Sequence, residues 1–160
     1  MIELREINWD NFWAVVNLKP KDTQMEFLPS NAVFMAQAYV NLKSNYPDAC
    51  FAIYSDEDVV GFTKIVFVPE HEGLYHFSED TYFIDAVMID EKYQGRGYGR
   101  VAMEQILKFI RTEPWGKVIS IKLSCYNHNT VATKMYESLG FVKTELFVLG
   151  KDGLRLYTMD

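Results

Sequence analysis

The stretch Gln94-Gly95-Arg96-Gly97-Tyr98-Gly99 stands between a nearly continuous apolar run, Thr81–Ile89, and a segment with helical spacing, Arg100–Arg111. Glycine tolerates backbone angles that other residues avoid, so this turn can curl until successive N–H groups face one concavity. The helix that follows adds its unpaired N–H groups and the positive end of its dipole. Together these features make an anion site suited to a pyrophosphate. A dinucleotide-binding fold sets its glycine fingerprint after the first strand, with an acidic residue about 20 positions on. Here the glycines come at mid-chain, after two predicted helices and three predicted strands. The Gly-Lys-Ser or Gly-Lys-Thr of a P-loop is absent. Taken alone, the pattern also fits an ordinary glycine-rich turn.

On the N-terminal side, Ile2–Ile7 alternates apolar and charged residues and reads as a half-buried strand. Trp9, Phe12, Trp13 and Val16 follow at helical spacing, with Asn8 or Asp10 as caps. Lys19–Pro29 reads as a loop, and Ser30 as the N-cap of a second helix from Asn31 to about Asn45, with Val33, Phe34, Ala38, Tyr39 and Leu42 on one side. Cys50–Tyr54 and Val59–Val68 read as strands joined by the acidic turn Ser55–Asp58. Thr81–Ile89, interrupted only by Asp85, suits a central strand covered on both faces. Beyond the glycine turn come a helix striped by Val101, Ile106, Leu107 and Ile110, a strand over Val118–Cys125, and a helix over Asn129–Leu139 stopped by Gly140. Two last strands, Phe141–Leu149 and Leu154–Met159, are joined by the hairpin signal Gly150-Lys151-Asp152-Gly153. The pattern predicts one α/β domain with a mixed sheet over residues 1–160.

The second informative unit is Asn129-Thr130-Val131-Ala132, opening a helix that ends Met135-Tyr136-Glu137-Ser138-Leu139-Gly140-Phe141. Seven residues, two helical turns, separate Asn129 from Tyr136, so both can face one groove. On spacing alone, a core tyrosine with a satisfied hydroxyl is the simpler reading. Asp90-Glu91-Lys92-Tyr93-Gln94-Gly95-Arg96-Gly97-Tyr98-Gly99 followed by this second unit resembles the GNAT superfamily of N-acetyltransferases, over Val59 to Phe147. Gln24-x-x-Phe27, Ala38, Val60-Gly61-Phe62, Tyr82-Phe83-Ile84-Asp85, Met88-Ile89-Asp90 and Tyr93-Gln94-Gly95 are similar to bacterial spermine/spermidine acetyltransferases.

The resemblance implies an α/β (α+β) fold with a mixed, mostly antiparallel sheet of six to seven strands, about four helices and a splayed central strand pair. It implies acetyl-CoA as cosubstrate, with its pyrophosphate on the amides of Gln94, Gly95, Arg96, Gly97, Tyr98 and Gly99. The pantetheine arm would pair with Val87, Met88 and Ile89, and Asn129 would bond that arm or a nearby backbone group. Tyr136 would stand beside the sulfur as general acid, and the N–H of Val87 or Met88 would polarise the carbonyl. A primary amine with a pKa of about 10.4 is mostly protonated at neutral pH, and only its neutral form attacks a thioester. Asp85, at the family's acidic position, is the first candidate for base. Its alternatives are a counter-ion for the ammonium and a structural pair with a neighbouring Lys or Arg. Glu26, Phe27 and the acidic connection Glu70, Glu72, Glu79 and Asp80 are candidates for holding a polycation, although for each charge taken singly a solvated surface is the simpler reading. The implied reaction is direct transfer to a primary amine in a ternary complex. Polyamines lead as acceptors; aminoglycosides, other small amines, protein amines and a non-catalytic acyl-CoA sensor are the alternatives.

The formal net charge of −6 argues against a nucleic-acid partner, which needs a basic footprint, and is compatible with a cationic small substrate. No apolar run approaches the ~20 residues of a membrane span, and no secretory signal pattern is seen. Cys50 and Cys125 read as buried free thiols of a reducing compartment, with the cytoplasm as default. Cys125 lacks an evident base and reads as packing. His71, His76 and His128 lack metal-ligand spacing, so no metal is expected. A homodimer is expected from the family resemblance.

Overall fold

The first half of the chain builds four strands, the alternating β1 (Ile2–Glu6), then β2 (Asp48–Ser55), and the largely apolar β3 (Asp58–Val68) and β4 (Thr81–Ile89) that suit the covered middle of a sheet. The computed structural model describes residues 1–26, 29–72, 76–148 and 153–160. Helices α1 (Phe12–Asn17) and α2 (Asn31–Lys43) lie between β1 and β2. After β4 come α3 (Tyr98–Ile110), β5 (Ser120–Tyr126), α4 (Thr130–Ser138), β6 (Val142–Phe147) and β7 (Leu154–Met159). The seven strands form one sheet in the order β1-β2-β3-β4-β5-β7-β6. Among the described strand pairs only β4 with β5 is parallel. The predicted fold class, with four helices and seven strands, is the one observed.

The two faces of the sheet hold different cores. Ile65, Tyr82, Ile84, Met103, Ile106, Ile110, Leu123 and Tyr157 pack on the side of α3 and α4, while Val15, Phe34, Ala52, Phe62 and Ala86 pack under α1 and α2. Ser30 caps α2 as expected, its hydroxyl accepting from Val33 N at 3.4 Å. The buried positions of α2, however, are Asn31, Phe34 and Ala38, whereas Val33, Tyr39 and Leu42 face outward. Apolar residues occur around most of that helix, so periodicity could not select its inner face. Helix α1 starts later than expected: Asn11 is its N-cap position, and Val15 rather than Trp9 or Trp13 is its buried residue. The Asn11 side chain accepts from Asn8 N and donates to Glu6 O, which stitches the end of β1 to the helix start. Helix α3 begins at Tyr98, two residues ahead of the predicted start, and its buried stripe includes Ala102 and Met103 while Val101 lies at the surface. The acidic turn at Asp56 is present, with φ of +54° there. The turn signal at Gly150 to Gly153 falls mostly outside the described residues. Among the described residues no helix is long and apolar enough to cross a membrane.

Candidate active site

Strands β4 and β5 pair only from Thr81↔Ser120 to Ile84↔Leu123. Past that point β5 stays paired with β7, and β4 with β3, so the two central strands part over Asp85–Ile89 and Ser124–Tyr126. The fork is the splayed pair that the resemblance implied. A bulge marks its origin: Lys64 pairs with Ala86 and Ile65 with Ile84, which leaves Asp85 without a register partner. Ala86 consequently packs with Phe34 and Phe62 under α2, and Asp85 meets Lys64.

A cavity of about 1310 Å³ runs through this fork. That exceeds the roughly 300–1,000 Å³ of a site for one small ligand and leaves room for two reactants. Val87, Met88 and Ile89 line it from β4, and Leu123, Ser124 and Cys125 from β5. Gln94, Gly95, Gly97, Tyr98 and Gly99 line the end nearest α3. Arg96 does not; its guanidinium lies over the Tyr93 ring, 5.5 Å from the centroid, and donates to Lys92 O at 3.1 Å.

Gly95 and Gly97 have φ of +78° and +80°, the left-handed region where a side chain would be strained, and no atom lies within 4 Å of where a Cβ would sit. Gly97 is the N-cap of α3 and has no side chain to bond the first helical amides. An uncapped helix start at an open glycine concavity fits a pyrophosphate, and the unpaired edge of β4 fits an extended arm beside it. The Gln94 carboxamide donates to Ile89 O at 2.9 Å and to Gln24 Oε1 at 2.7 Å, which ties the turn to the segment before α2. Asp90 reinforces that tie by accepting from Lys19 N at 3.0 Å.

Asn129 and Tyr136 both line the cavity from the α4 side. Asn129 is the N-cap of α4 and accepts from Ala132 N at 3.4 Å, so the backbone partner is the one observed. Tyr136 is buried against Phe141 and Tyr157. Burial pushes its phenol well above the ordinary tyrosine range, with nearby Cys125 adding to the shift, so the hydroxyl keeps its proton at neutral pH. The Cys125 thiol is itself pushed up to about 12 by burial, which leaves it protonated and a poor nucleophile.

Elsewhere on the cavity wall the Lys64 ammonium donates to Asp85 Oδ2 at 2.6 Å and lies 2.9 Å from Asp48 Oδ2. Of the three roles open to Asp85, the ion pair is therefore present, and it leaves the Asp85 side chain 19% exposed at the cavity wall. Lys64 and Asp48 were not singled out from the sequence. The available signal was a lone lysine in the apolar stretch Val59–Val68, since a charge there requires a buried partner. Glu26 lies outside the lining and meets His128 Nε2 at 3.3 Å; Phe27 is outside the described residues. Among the described residues the acidic connection does not line the cavity either: Glu79 pairs with Lys122 at 2.7 Å and Asp80 accepts from Glu70 N at 2.9 Å. Those carboxylates serve the far end of β4 and β5.

Comparison with known proteins agrees with this architecture. An alignment of 140 residues at 26% identity, covering 88% of this chain and 87% of the relative, joins it to spermine/spermidine N(1)-acetyltransferase of Bacillus subtilis (strain 168). The PaiA N-acetyltransferase from Thermoplasma acidophilum, solved in complex with coenzyme A, has a TM-score of 0.67 at 11% identity, over 100% of this chain and 99% of its own. A spermidine N-acetyltransferase SpeG chimera from Vibrio cholerae and hSSAT has a TM-score of 0.68 at 18% identity, over 99% and 94%. The sequence model of the acetyltransferase (GNAT) family matches residues 4–141. With the glycine cradle, the forked central strands and this match together, the chain belongs to the GNAT family and is an acetyl-CoA-dependent N-acetyltransferase.

Proposed function

We propose that the acceptor is the primary amine of a polyamine such as spermidine or spermine, acetylated by direct transfer in a ternary complex. The observation that carries this reading is one cavity whose wall holds both the glycine cradle and the Asp85 carboxylate. With both carboxylates ionised, Asp48, Lys64 and Asp85 together hold one net negative charge, which favours a cationic acceptor. The Bacillus relative is named for spermine and spermidine, and the net charge of −6 is in keeping with a polycation.

Acetyl-CoA supplies an activated thioester. In this reading the amides of Gln94–Gly99 hold its pyrophosphate, and Val87–Ile89 hold the extended arm. The N–H of Val87 or Met88 polarises the thioester carbonyl as charge develops on its oxygen. Asp85 takes the acceptor's ammonium and receives its proton, directly or through water, which frees the nitrogen lone pair. Tyr136 donates its proton toward the sulfur as the C–S bond breaks. Cys125 forms no acetyl-enzyme, since its thiol is held neutral. Initial rates with spermidine and acetyl-CoA varied together test the ternary complex. Intersecting double-reciprocal lines support it, and parallel lines refute it in favour of a covalent route.

A further inference from the structure

Lys64 is a cation inside the protein, with a side chain 1% exposed. Burial works against its charge and is the largest influence on the group, but the two carboxylates together outweigh it and raise the ammonium above the ordinary lysine range. The two partners are not equivalent. Asp48 is fully buried, receives a second bond from Asn41 Nδ2 at 2.7 Å on the same oxygen, and has an Oδ1 without a hydrogen-bond partner. Asp85 stands on the bulge of the central strand and reaches the cavity. Burial pushes the Asp48 carboxyl above the ordinary carboxylate range, with Lys64 and Asn41 opposing that push, so Asp48 is the member shut inside and Asp85 is the member that can meet an acceptor.

We propose that Lys64 is a positioning residue for acetyl transfer: shared between Asp48 and Asp85, it fixes the Asp85 carboxylate at the cavity wall and sets the pH at which that carboxylate can take the acceptor's proton. The proposal rests on the reading of Asp85 as proton acceptor. In the step, an N–H bond of the acceptor ammonium breaks and an O–H bond forms on Asp85. The nitrogen pair is left free to attack, and the proton later leaves by the exposed edge of Asp85. Lys64 keeps its own proton throughout. The groups acting on Lys64 among the described residues are Asp85 from β4 and Asp48 from β2. Cys50, also on β2, senses the same trio, but burial and Asp48 push its thiol up to about 12, so it stays neutral; α2 contributes Asn41, which does not titrate.

Sharing gives the proposal a sign that mere packing lacks. Lys64→Met removes the cation, so the acid limb of kcat/KM with spermidine moves to higher pH, by about one unit or more for the loss of an adjacent opposite charge. Asp48→Asn gives the whole ammonium to Asp85 and removes a like charge, so the same limb moves to lower pH. The amine's own titration is common to every variant and cancels from the comparison. Opposite displacements support the proposal. A folded Lys64→Met variant whose kcat falls with the limb unmoved overturns it, leaving Lys64 purely structural. Should that variant fail to fold, Asp48→Asn decides alone, because it keeps the Lys64–Asp85 pair; an unmoved or raised limb overturns the proposal. Asp85→Asn separates the two layers. Wild-type kcat/KM and limb in that variant remove Asp85 as proton acceptor and the proposal with it. Loss of the limb there, with no shift in Asp48→Asn, overturns only the role of Lys64.

Discussion

Tyr136 carries the most demanding single role in the proposed chemistry, and its environment suits a proton donor more than a nucleophile. Buried beside Phe141, Tyr157 and Cys125, it holds its proton across the pH range in which an enzyme works. Tyr136→Phe is predicted to lower kcat by about 10²-fold or more, within the usual range of general acid–base catalysis, with acetyl-CoA affinity unchanged. Steady-state rates with a parallel binding titration check this, and unchanged kcat would take Tyr136 out of the mechanism. The thiols give a second prediction. Cys50 and Cys125 are both pushed up to about 12, chiefly by burial, so a thiol-specific probe at neutral pH is expected to label them far more slowly in the native protein than in the unfolded chain. Fast labelling of the native protein would contradict that. Lys64→Met leaves the buried Asp48 and the partly exposed Asp85 without their cation and is expected to cost about 3–5 kcal/mol in denaturant melts. The Lys64 pKa is raised above its value in the unfolded chain, so this contribution is complete below 10.5 and is lost as pH rises through the folded value. Asn129 and Tyr136 were legible as candidates because they sit in one local motif that the family resemblance picks out, and Asp85 because that resemblance implies an acidic position on the central strand. The ion trio was not, since it joins three strands through a register that a bulge displaces.

Among the elements, the close approach of β3 to β4 ties stability to the site. A Cβ at Gly61 would lie 2.4 Å from Met88 O and 2.9 Å from Ile89 Cδ1, so a side chain there must push β4 away. Met88 and Ile89 also line the fork, and Gly61→Ala is therefore predicted to destabilise by about 1–3 kcal/mol and to raise KM for acetyl-CoA together with it. A thermal melt and acetyl-CoA saturation curves on one preparation test the link; a lowered Tm with unchanged KM would break it. Helix α3 and β4 were readable within two residues, because glycine, apolar run and stripe agree there. The faces of α1 and α2 were not, because Trp9, Trp13, Tyr39 and Leu42 are apolar residues the fold leaves exposed. Periodicity reports where apolar residues recur, and only packing decides which of them is covered.

Over the whole molecule, the cavity draws on both halves of the chain: α2 and β3 from the first, and the glycine turn, β5 and α4 from the second, with β4 between them. Loop contacts hold the halves together, with Gln24 on Gln94, Lys19 on Asp90 and Glu26 on His128. We propose a homodimer on the grounds of the family, and sedimentation at micromolar concentration should give twice the 18.6 kDa chain mass; a single species at 18.6 kDa would rule it out. The acceptor is the central claim, and coenzyme A thiol release from acetyl-CoA over spermidine, spermine, aminoglycosides, amino acids and a lysine peptide tests it most directly. Turnover concentrated on the two polyamines is the predicted result. Turnover on another amine alone, or acetyl-CoA bound with no amine acetylated, would contradict it.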